Sequence, residues 1–382
     1  MAINVNLVAE RLRQARETLL YSIEEASQAT GIASQRLIAI ECGREVPTGD
    51  DVLILANLYD CDFRSFLDEN SPPAVQQSDI LFRRYGESFG VEDRRSVQEF
   101  LHLCQIEASL ERLLEIRASP FPFSPSGSYA KGHGQNAAEA LRRHLGYRDN
   151  EAPRDIYSDF RGIGIHVFRR KLSNEDISGL YINDPIAGHC VLINYSEDLY
   201  RQRFSVAHEM AHAIFDSAEG VLLTYEWRSA KYNAKDLREI RANSFASHFL
   251  MPVTMLKGLP TLDEERAKHW AQQFRVSTAA LAKALKDAAL VDEAAARRIR
   301  AVHVPKDIKI DPEAPEFLSE TQRERRMALL ERGLSNHYVD LCFMAHDRGL
   351  ISTGRLAEML QVNNTELSEI GVLYGRTLGH GV

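Results

Sequence analysis

Apolar residues recur every three to four positions through most of the chain, which is the pattern of amphipathic helices. Within residues 1–70 this pattern predicts four short helices, and the third is expected to turn Leu37, Ile38 and Ile40 inward. Gly31 and Gly43 are expected to end the second and third helices, because glycine readily adopts the left-handed conformation found there. The four helices are predicted in NLVAERLRQARE, SIEEASQATG, IASQRLIAIECG and TGDDVLILANLYD.

Two of these helices carry a start signal. Ser22 with Glu25, and Thr48 with Asp51, have the spacing at which each side chain caps the backbone of the other. Ala33 stands before the third helix and offers no such group, so that helix is expected to begin without a side-chain cap.

Three stretches in the middle of the chain alternate apolar and polar residues, as strands do. They are GIGIHVFRR, ISGLYINDPIAG and HCVLINY. Helical patterns resume after them, including an apolar helix at 236–251 that Pro252 ends. The sequence therefore predicts a mostly helical α+β protein with one small sheet and a helical tail.

Pro-rich and Gly-rich stretches suggest where the chain divides. SPPAVQQS at 71–78 and SPFPFSPSGSYAKGHG at 119–134 are predicted boundaries or linkers, and the tail is expected to break near VHVPKDIKIDPEAPEF. We predict a first domain at 1–70, a helical connector and linker at 71–134, a third segment at 135–292 and a helical C-terminal region at 293–382.

Composition limits the class of protein. The chain has 382 residues, a net charge of −8 and 44% hydrophobic residues, with no run of 18 apolar residues that could cross a membrane. The N-terminus lacks the features of a secretory signal, and five scattered cysteines without a C-x-x-C pair fit a reducing compartment. We expect a cytoplasmic protein with no membrane partner, no disulfide frame and no thiolate metal site.

The second and third predicted helices, joined at a glycine turn, have the helix-turn-helix arrangement. Residues 7–67 resemble the XRE-type, lambda-repressor-like DNA-binding domain. The resemblance implies that the third helix enters the major groove of operator DNA. It places Ser34, Gln35, Arg36 and Ala39 at contact positions and Arg44 near a phosphate, and glutamine and arginine are suited to bidentate contact with base edges.

Charge leaves an alternative for this segment. Residues 1–70 contain twelve acidic and six basic residues, a difference of −6, which disfavours attraction to phosphate. The alternative is a helical bundle that binds a protein or forms a homodimer.

The stretch FSVAHEMAHAIFD at 204–216 contains an H-E-x-x-H motif. On a helix His208 and His212 lie on one face, one turn apart, so both imidazoles can reach the same ion. Zinc prefers such ligands, and Glu209 would lie beside an open position to accept the proton of a water molecule. Glu239, on the next apolar helix, is a candidate third ligand, and Asn243 one turn later could hydrogen-bond a liganding imidazole.

These motifs resemble the gluzincin class of metallopeptidases and, more closely, the ImmA/IrrE family of zinc metallopeptidases over residues 135–290. The resemblance implies one zinc ion held by His208, His212 and Glu239, with Glu209 as general base. It also implies site-specific cleavage of a repressor-like or antitoxin-like protein. Two positions depart from the family: Asp216 stands where another histidine is common, and Arg241 replaces a common acidic residue.

Several alternatives remain open at this point. Asp216 is a rival third ligand, although it lies about 12 Å from His208 along a continuous helix. The peptidase-like domain could serve a transcription regulator as a sensor or dimerisation platform without proteolysis, or the protein could be an antitoxin. We also hypothesise that segment 79–134 or the tail covers the cleft. The other histidines lack a partner at ligand spacing and are expected to be ordinary surface or core residues: His102, His133, His144, His166 and His189.

Overall fold

A four-stranded sheet lies at the centre of the larger part of the molecule, in the order β1-β3-β2-β4. The computed structural model describes residues 4–225, 234–260, 263–306, 308–315 and 317–376. β1 pairs with β3 in parallel, and β2 pairs antiparallel with both β3 and β4. The strands are β1 His166–Arg170, β2 Ile177–Asp184, β3 Gly188–Asn194 and β4 Val221–Tyr225.

Three of these strands confirm the sequence prediction, and the fourth adds to it. β4 is only five residues long and follows a turn at Gly220, where φ is +77°. Such a short apolar run after a predicted helix gave no alternation from which a strand could be inferred.

The N-terminal segment folds around a small core of its own, which includes Val8, Leu12 and Leu55. Gly31 ends the second helix with φ of +75°, as predicted, and both predicted capping boxes are present. The third helix begins without a side-chain cap. The helices are α1 Val5–Thr18, α2 Ile23–Thr30, α3 Ser34–Glu41, α4 Gly49–Leu58 and α5 Arg64–Leu67.

One inward-facing assignment on α3 is wrong. Leu37 and Ile40 are buried, but Ile38 is 40% exposed. A helix turns 100° per residue, so the arc that holds Leu37 and Ile40 continues to Glu41 rather than to Ile38. Glu41 is accordingly buried, where its Oε1 accepts a hydrogen bond from Nε of Arg16 at 2.8 Å.

On one face of the sheet, the described residues include eight helices that share a core with it, and we call these helices the first layer. Tyr181, Val191 and Ile193 point into the core between them and the sheet. The helices are α8 Ala130–His144, α9 Ile156–Gly162, α10 Leu199–Phe215, α11 Ala234–Leu250, α12 Val253–Lys257, α13 Glu264–Phe274, α14 Thr278–Asp287 and α15 Glu293–Ala301.

The opposite face is covered by a second layer, which joins the predicted connector to the predicted tail. Leu180, Ile182 and Leu192 point into this second core, as the strand period requires. The helices are α6 Gln76–Tyr85, α7 Val91–Leu113, α16 Glu320–Glu331, α17 Asn336–Asp347, α18 Thr353–Met359 and α19 Asn364–Leu373. Within the described residues no helix is both long and apolar enough to cross a membrane.

The start of α8 corrects the prediction of a linker up to residue 134. The helix begins at Ala130 and includes Gly132 and Gly134. Gly134 is needed for close packing, because a Cβ there would lie 2.3 Å from the carbonyl oxygen of Arg241 on α11. Gly134 therefore marks a helix contact and not a loop.

Candidate metal centre

α10 and α11 bring the three predicted ligands together. His208 and His212 lie one turn apart on α10, and their Nε2 atoms are 3.2 Å apart. From α11, Glu239 places Oε2 at 3.1 Å from Nε2 of His208 and Oε1 at 3.7 Å from Nε2 of His212. One ligand atom from each residue lies within 4.8 Å of the other two. Both histidines are at least 95% buried.

The remaining nitrogen of each imidazole faces an oxygen. Nδ1 of His208 lies 3.3 Å from Oδ1 of Asn243, and Nδ1 of His212 lies 2.9 Å from Oδ2 of Asp216. Oxygen acceptors at both Nδ1 atoms favour the proton there, which leaves the Nε2 lone pairs directed at one another and at a carboxylate. Such an arrangement is unfavourable without a cation or an extra proton between the groups, so the donor set fits a zinc ion.

Asp216 contacts Nδ1 of His212 and is not one of the three residues whose ligand atoms converge. α10 ends at Phe215, and the Asp216 carboxylate reaches back to Nδ1 of His212. Its other oxygen, Oδ1, accepts a hydrogen bond from Arg241 at 2.5 Å, and the Arg241 guanidinium lies over the ring of Phe215. Burial by itself raises the pKa of Asp216, but the hydrogen bonds from His212 and Arg241 outweigh it and hold that pKa below its usual value.

Glu209 is fully buried next to the histidine pair. Neither of its carboxylate oxygens has a hydrogen-bond partner within the part of the chain that is described. Burial is the largest influence and raises the pKa of Glu209, although the charges of His212 and His208 and the nearby Thr224 hydroxyl act in the opposite direction. A buried carboxylate without a fixed partner is suited to exchange a proton with a bound water molecule.

Gly179 on β2 makes room for that side chain. A Cβ at Gly179 would lie 2.9 Å from the Leu192 carbonyl oxygen and 3.3 Å from Cγ of Glu209. This role of Gly179 could not be predicted from the sequence, because a glycine inside a strand signals a close approach without identifying the neighbour.

The helix-turn-helix positions differ in their availability. Gln35 and Arg44 are exposed, and Ser34 and Ala39 are partly exposed. Arg36 is held by two carboxylates: its NH1 and NH2 donate to Asp51 at 2.8 and 2.6 Å, and its Nε donates to Glu45 at 2.8 Å. Asp51 also caps α4, so Arg36 fastens α3 to the start of α4. Contact between Arg36 and a base would require these ion pairs to open.

Two family models match the chain. A helix-turn-helix model matches residues 12–66, and a peptidase family model described as the IrrE N-terminal-like domain matches residues 161–286. The chain joins a helix-turn-helix domain to an IrrE N-terminal-like domain. This confirms the predicted fusion and the mostly helical α+β fold. Glu209 and the three candidate ligands all lie inside the IrrE N-terminal-like match. A search of curated proteins found no match to the chain.

The geometry narrows the hypothesis about cleft coverage to the part of segment 79–134 that follows α7. α6, α7 and the tail helices α16–α19 pack on the face of the sheet opposite to α10 and α11. Of segment 79–134, only the part after α7 lies on the metal side, where Phe123 contacts Phe215 edge to face at 5.7 Å. The tail and α7 are therefore structural partners of the sheet and do not cover the centre.

Proposed function

We propose that the IrrE N-terminal-like domain is a zinc-dependent, site-specific endopeptidase. Its substrate would be a repressor-like or antitoxin-like regulatory protein, while the helix-turn-helix domain binds operator DNA. The proposal rests on one observation: the ligand atoms of His208, His212 and Glu239 converge on one point. Asn243 and Asp216 contact the other nitrogens of the two imidazoles and so direct both Nε2 atoms at that point.

His208, His212 and Glu239 would hold the ion. When bound, zinc would polarise the scissile carbonyl group and lower the pKa of a water molecule. Asn243 and Asp216 fix the orientation of the two imidazoles, so the donor atoms do not need to reorganise when the ion arrives.

Glu209 would carry the proton transfers. Its carboxylate accepts a proton from the attacking water and then delivers that proton to the leaving amine nitrogen as the peptide bond breaks. Glu209 is fully buried beside the two histidines, so the proton stays within the site between the two transfers.

Burial also favours a second candidate function. His208, Glu209 and His212 are at most 4% exposed, so a substrate has little access to them in this conformation. A transcription regulator or antitoxin that uses the domain as a sensor or dimerisation platform would fit a closed centre as well. In that case operator binding would be independent of Glu209, and no protein would be cleaved.

Paired variants test the proposal. Glu209→Gln should retain zinc after chelator washing but abolish cleavage, and it should capture the uncut substrate in a pull-down from the native host. Glu239→Ala should lose zinc. The matched control is Glu265→Gln, an exposed residue at the start of α13, which should behave as wild type. Full zinc occupancy of Glu239→Ala by atomic absorption, or cleavage by Glu209→Gln, would contradict the assignment.

A further inference from the structure

A second group of possible ligands lies on the opposite side of the sheet from the zinc candidate. Glu107 and Glu111 are one turn apart on α7, and His166 is the first residue of β1. One ligand atom from each of the three lies within 4.8 Å of the others. His166 lies at least 55 positions from either glutamate, so sequence spacing gave no sign of this group.

The group is buried and incompletely satisfied. Glu107 is fully buried, His166 is 5% exposed, and Nδ1 of His166 lies 2.8 Å from Oε1 of Glu107. The second oxygen of Glu107, Oε2, has no hydrogen-bond partner among the described residues. A buried carboxylate oxygen without a partner is costly, which indicates that something else is accommodated there.

A fourth possible donor comes from the tail. His337 on α17 places Nε2 3.9 Å from Oε1 of Glu111. That nitrogen is itself buried and, within the described parts of the chain, has no hydrogen-bond partner. The side chains of Glu111 and His337 are 24% and 33% exposed, so an ion could enter the group from this side.

We propose that Glu107, Glu111 and His166 form a second metal site, completed by His337, for a divalent transition metal ion. Mixed carboxylate and imidazole donors suit manganese, iron or zinc, whereas calcium and magnesium prefer oxygen alone. A divalent cation with neutral imidazoles would balance the two carboxylates. The ordinary alternative is a buried Glu107–His166 ion pair that binds no metal.

The site would join three segments that are distant in the chain. α7 belongs to the predicted connector, β1 to the edge of the sheet and α17 to the tail. An ion bound to all three would stabilise the second layer against the sheet, because a ligand that binds only the folded state adds to its stability. This inference does not depend on the peptidase proposal.

The test uses the 382-residue chain after chelator washing, with Co²⁺ as the probe in equilibrium dialysis. The wild type should bind two equivalents. Glu111→Gln and His337→Gln should each weaken Co²⁺ binding at the second site at least tenfold, and Glu239→Gln should weaken binding at the zinc candidate. Glu115→Gln is the matched control, since Glu115 is exposed just beyond α7 and has the same charge.

A thermal readout separates metal binding from the ion pair. Co²⁺ should raise the melting temperature of Glu239→Gln, which retains only the second site, and should not raise that of Glu111→Gln combined with Glu239→Gln. The proposal is overturned if the wild type binds a single equivalent that Glu239→Gln removes. It is equally overturned if Glu111→Gln and His337→Gln bind both equivalents as tightly as the wild type. If Glu111→Gln loses one equivalent and Glu239→Gln loses none, the second site stands and the first is wrong.

Discussion

The Asp216 carboxylate joins side chains from two helices. Its Oδ2 accepts a hydrogen bond from Nδ1 of His212, and its Oδ1 accepts one from Arg241 on α11, so Arg241 holds the carboxylate that orients the imidazole. The sequence marked Asp216 and Arg241 only as two separate departures from the resemblance and gave no sign that they contact each other.

Replacement of Asp216 by alanine should weaken zinc binding without removing the site. His212, Glu239 and His208 remain, but Nδ1 of His212 loses its acceptor and Arg241 loses its partner. A supporting contact of this kind is worth about 10–100-fold in metal affinity. Competition with a chelator of known affinity measures the change, and the protein should still bind zinc fully at saturation. Affinity equal to that of the wild type would show that Asp216 does not support the site.

Gln35 and Arg36 should behave differently although they are neighbours. Gln35 is exposed, so Gln35→Ala should leave the melting temperature unchanged and cost about 1–3 kcal/mol of operator binding at one base position. Arg36→Ala removes the ion pairs to Asp51 and Glu45, so its main effect should be a lower melting temperature and not a change in base recognition. Melting curves and binding to operator variants separate the two effects. If Arg36→Ala leaves the melting temperature unchanged but relaxes base specificity, then Arg36 does contact a base.

At the scale of elements, α10 and α11 could be predicted because each has its candidate site residues at helical spacing. The motif fixed His208 and His212 on one face, and α11 supplied Glu239. The packing of α8 on α11 could not be predicted, because it depends on the missing side chain of Gly134 in a stretch that resembles a linker. The layer formed by α7 and the tail was also beyond prediction, since its two parts are about 200 residues apart.

Gly134→Ala should therefore disturb the metal centre from a distance. The added methyl group would meet backbone atoms of Arg241 and Phe245, which cannot move without shifting α11 and hence Glu239. We expect a loss of stability of about 1–3 kcal/mol and weaker zinc binding. Gly132→Ala on the same helix is the control: the atoms nearest to its methyl group belong to the ring of exposed Tyr129, which can move aside, and alanine favours the helix. Denaturant titration and zinc affinity compare the two, and equal behaviour would contradict the packing argument.

At the scale of the molecule, the helix-turn-helix domain rests on α7 of the second layer. NH1 of Arg94 donates to the carbonyl of Thr18, Arg95 lies over the ring of Tyr21, and Gln98 donates to the carbonyl of Asp60. α7 in turn packs against β1 and α17. A truncation that removes residues 1–134 would therefore expose the core of the sheet as well as remove the DNA-binding domain, so point substitutions are the better probes of coupling between domains.

Asp60 makes this junction sensitive to pH. Burial is the main cause that raises the pKa of Asp60 from 3.8 to about 7, and Glu99 adds to it. Because the folded state binds the proton more tightly than the unfolded chain, the contribution of Asp60 to stability should be greatest below about pH 4, fall as the pH rises toward 7 and then level. Asp60→Asn cannot ionise, and asparagine tolerates the φ of +48° at this position. This variant should lack the decline and be more stable at pH 8 by up to about 4 kcal/mol, at about 1.4 kcal/mol for each unit between 3.8 and about 7.

Urea denaturation of the wild type and of Asp60→Asn at pH 5, 6, 7 and 8 measures the effect. Asp176→Asn, an exposed carboxylate before β2, is the control and should follow the wild type at every pH. If Asp60→Asn loses as much stability as the wild type between pH 5 and 8, Asp60 is solvated in the folded protein and the junction is looser than its hydrogen bonds indicate. If the free energy of unfolding is independent of pH in Asp60→Asn alone, ionisation of Asp60 opposes the docking of the helix-turn-helix domain on α7. Operator binding in that variant should then depend less on pH than in the wild type.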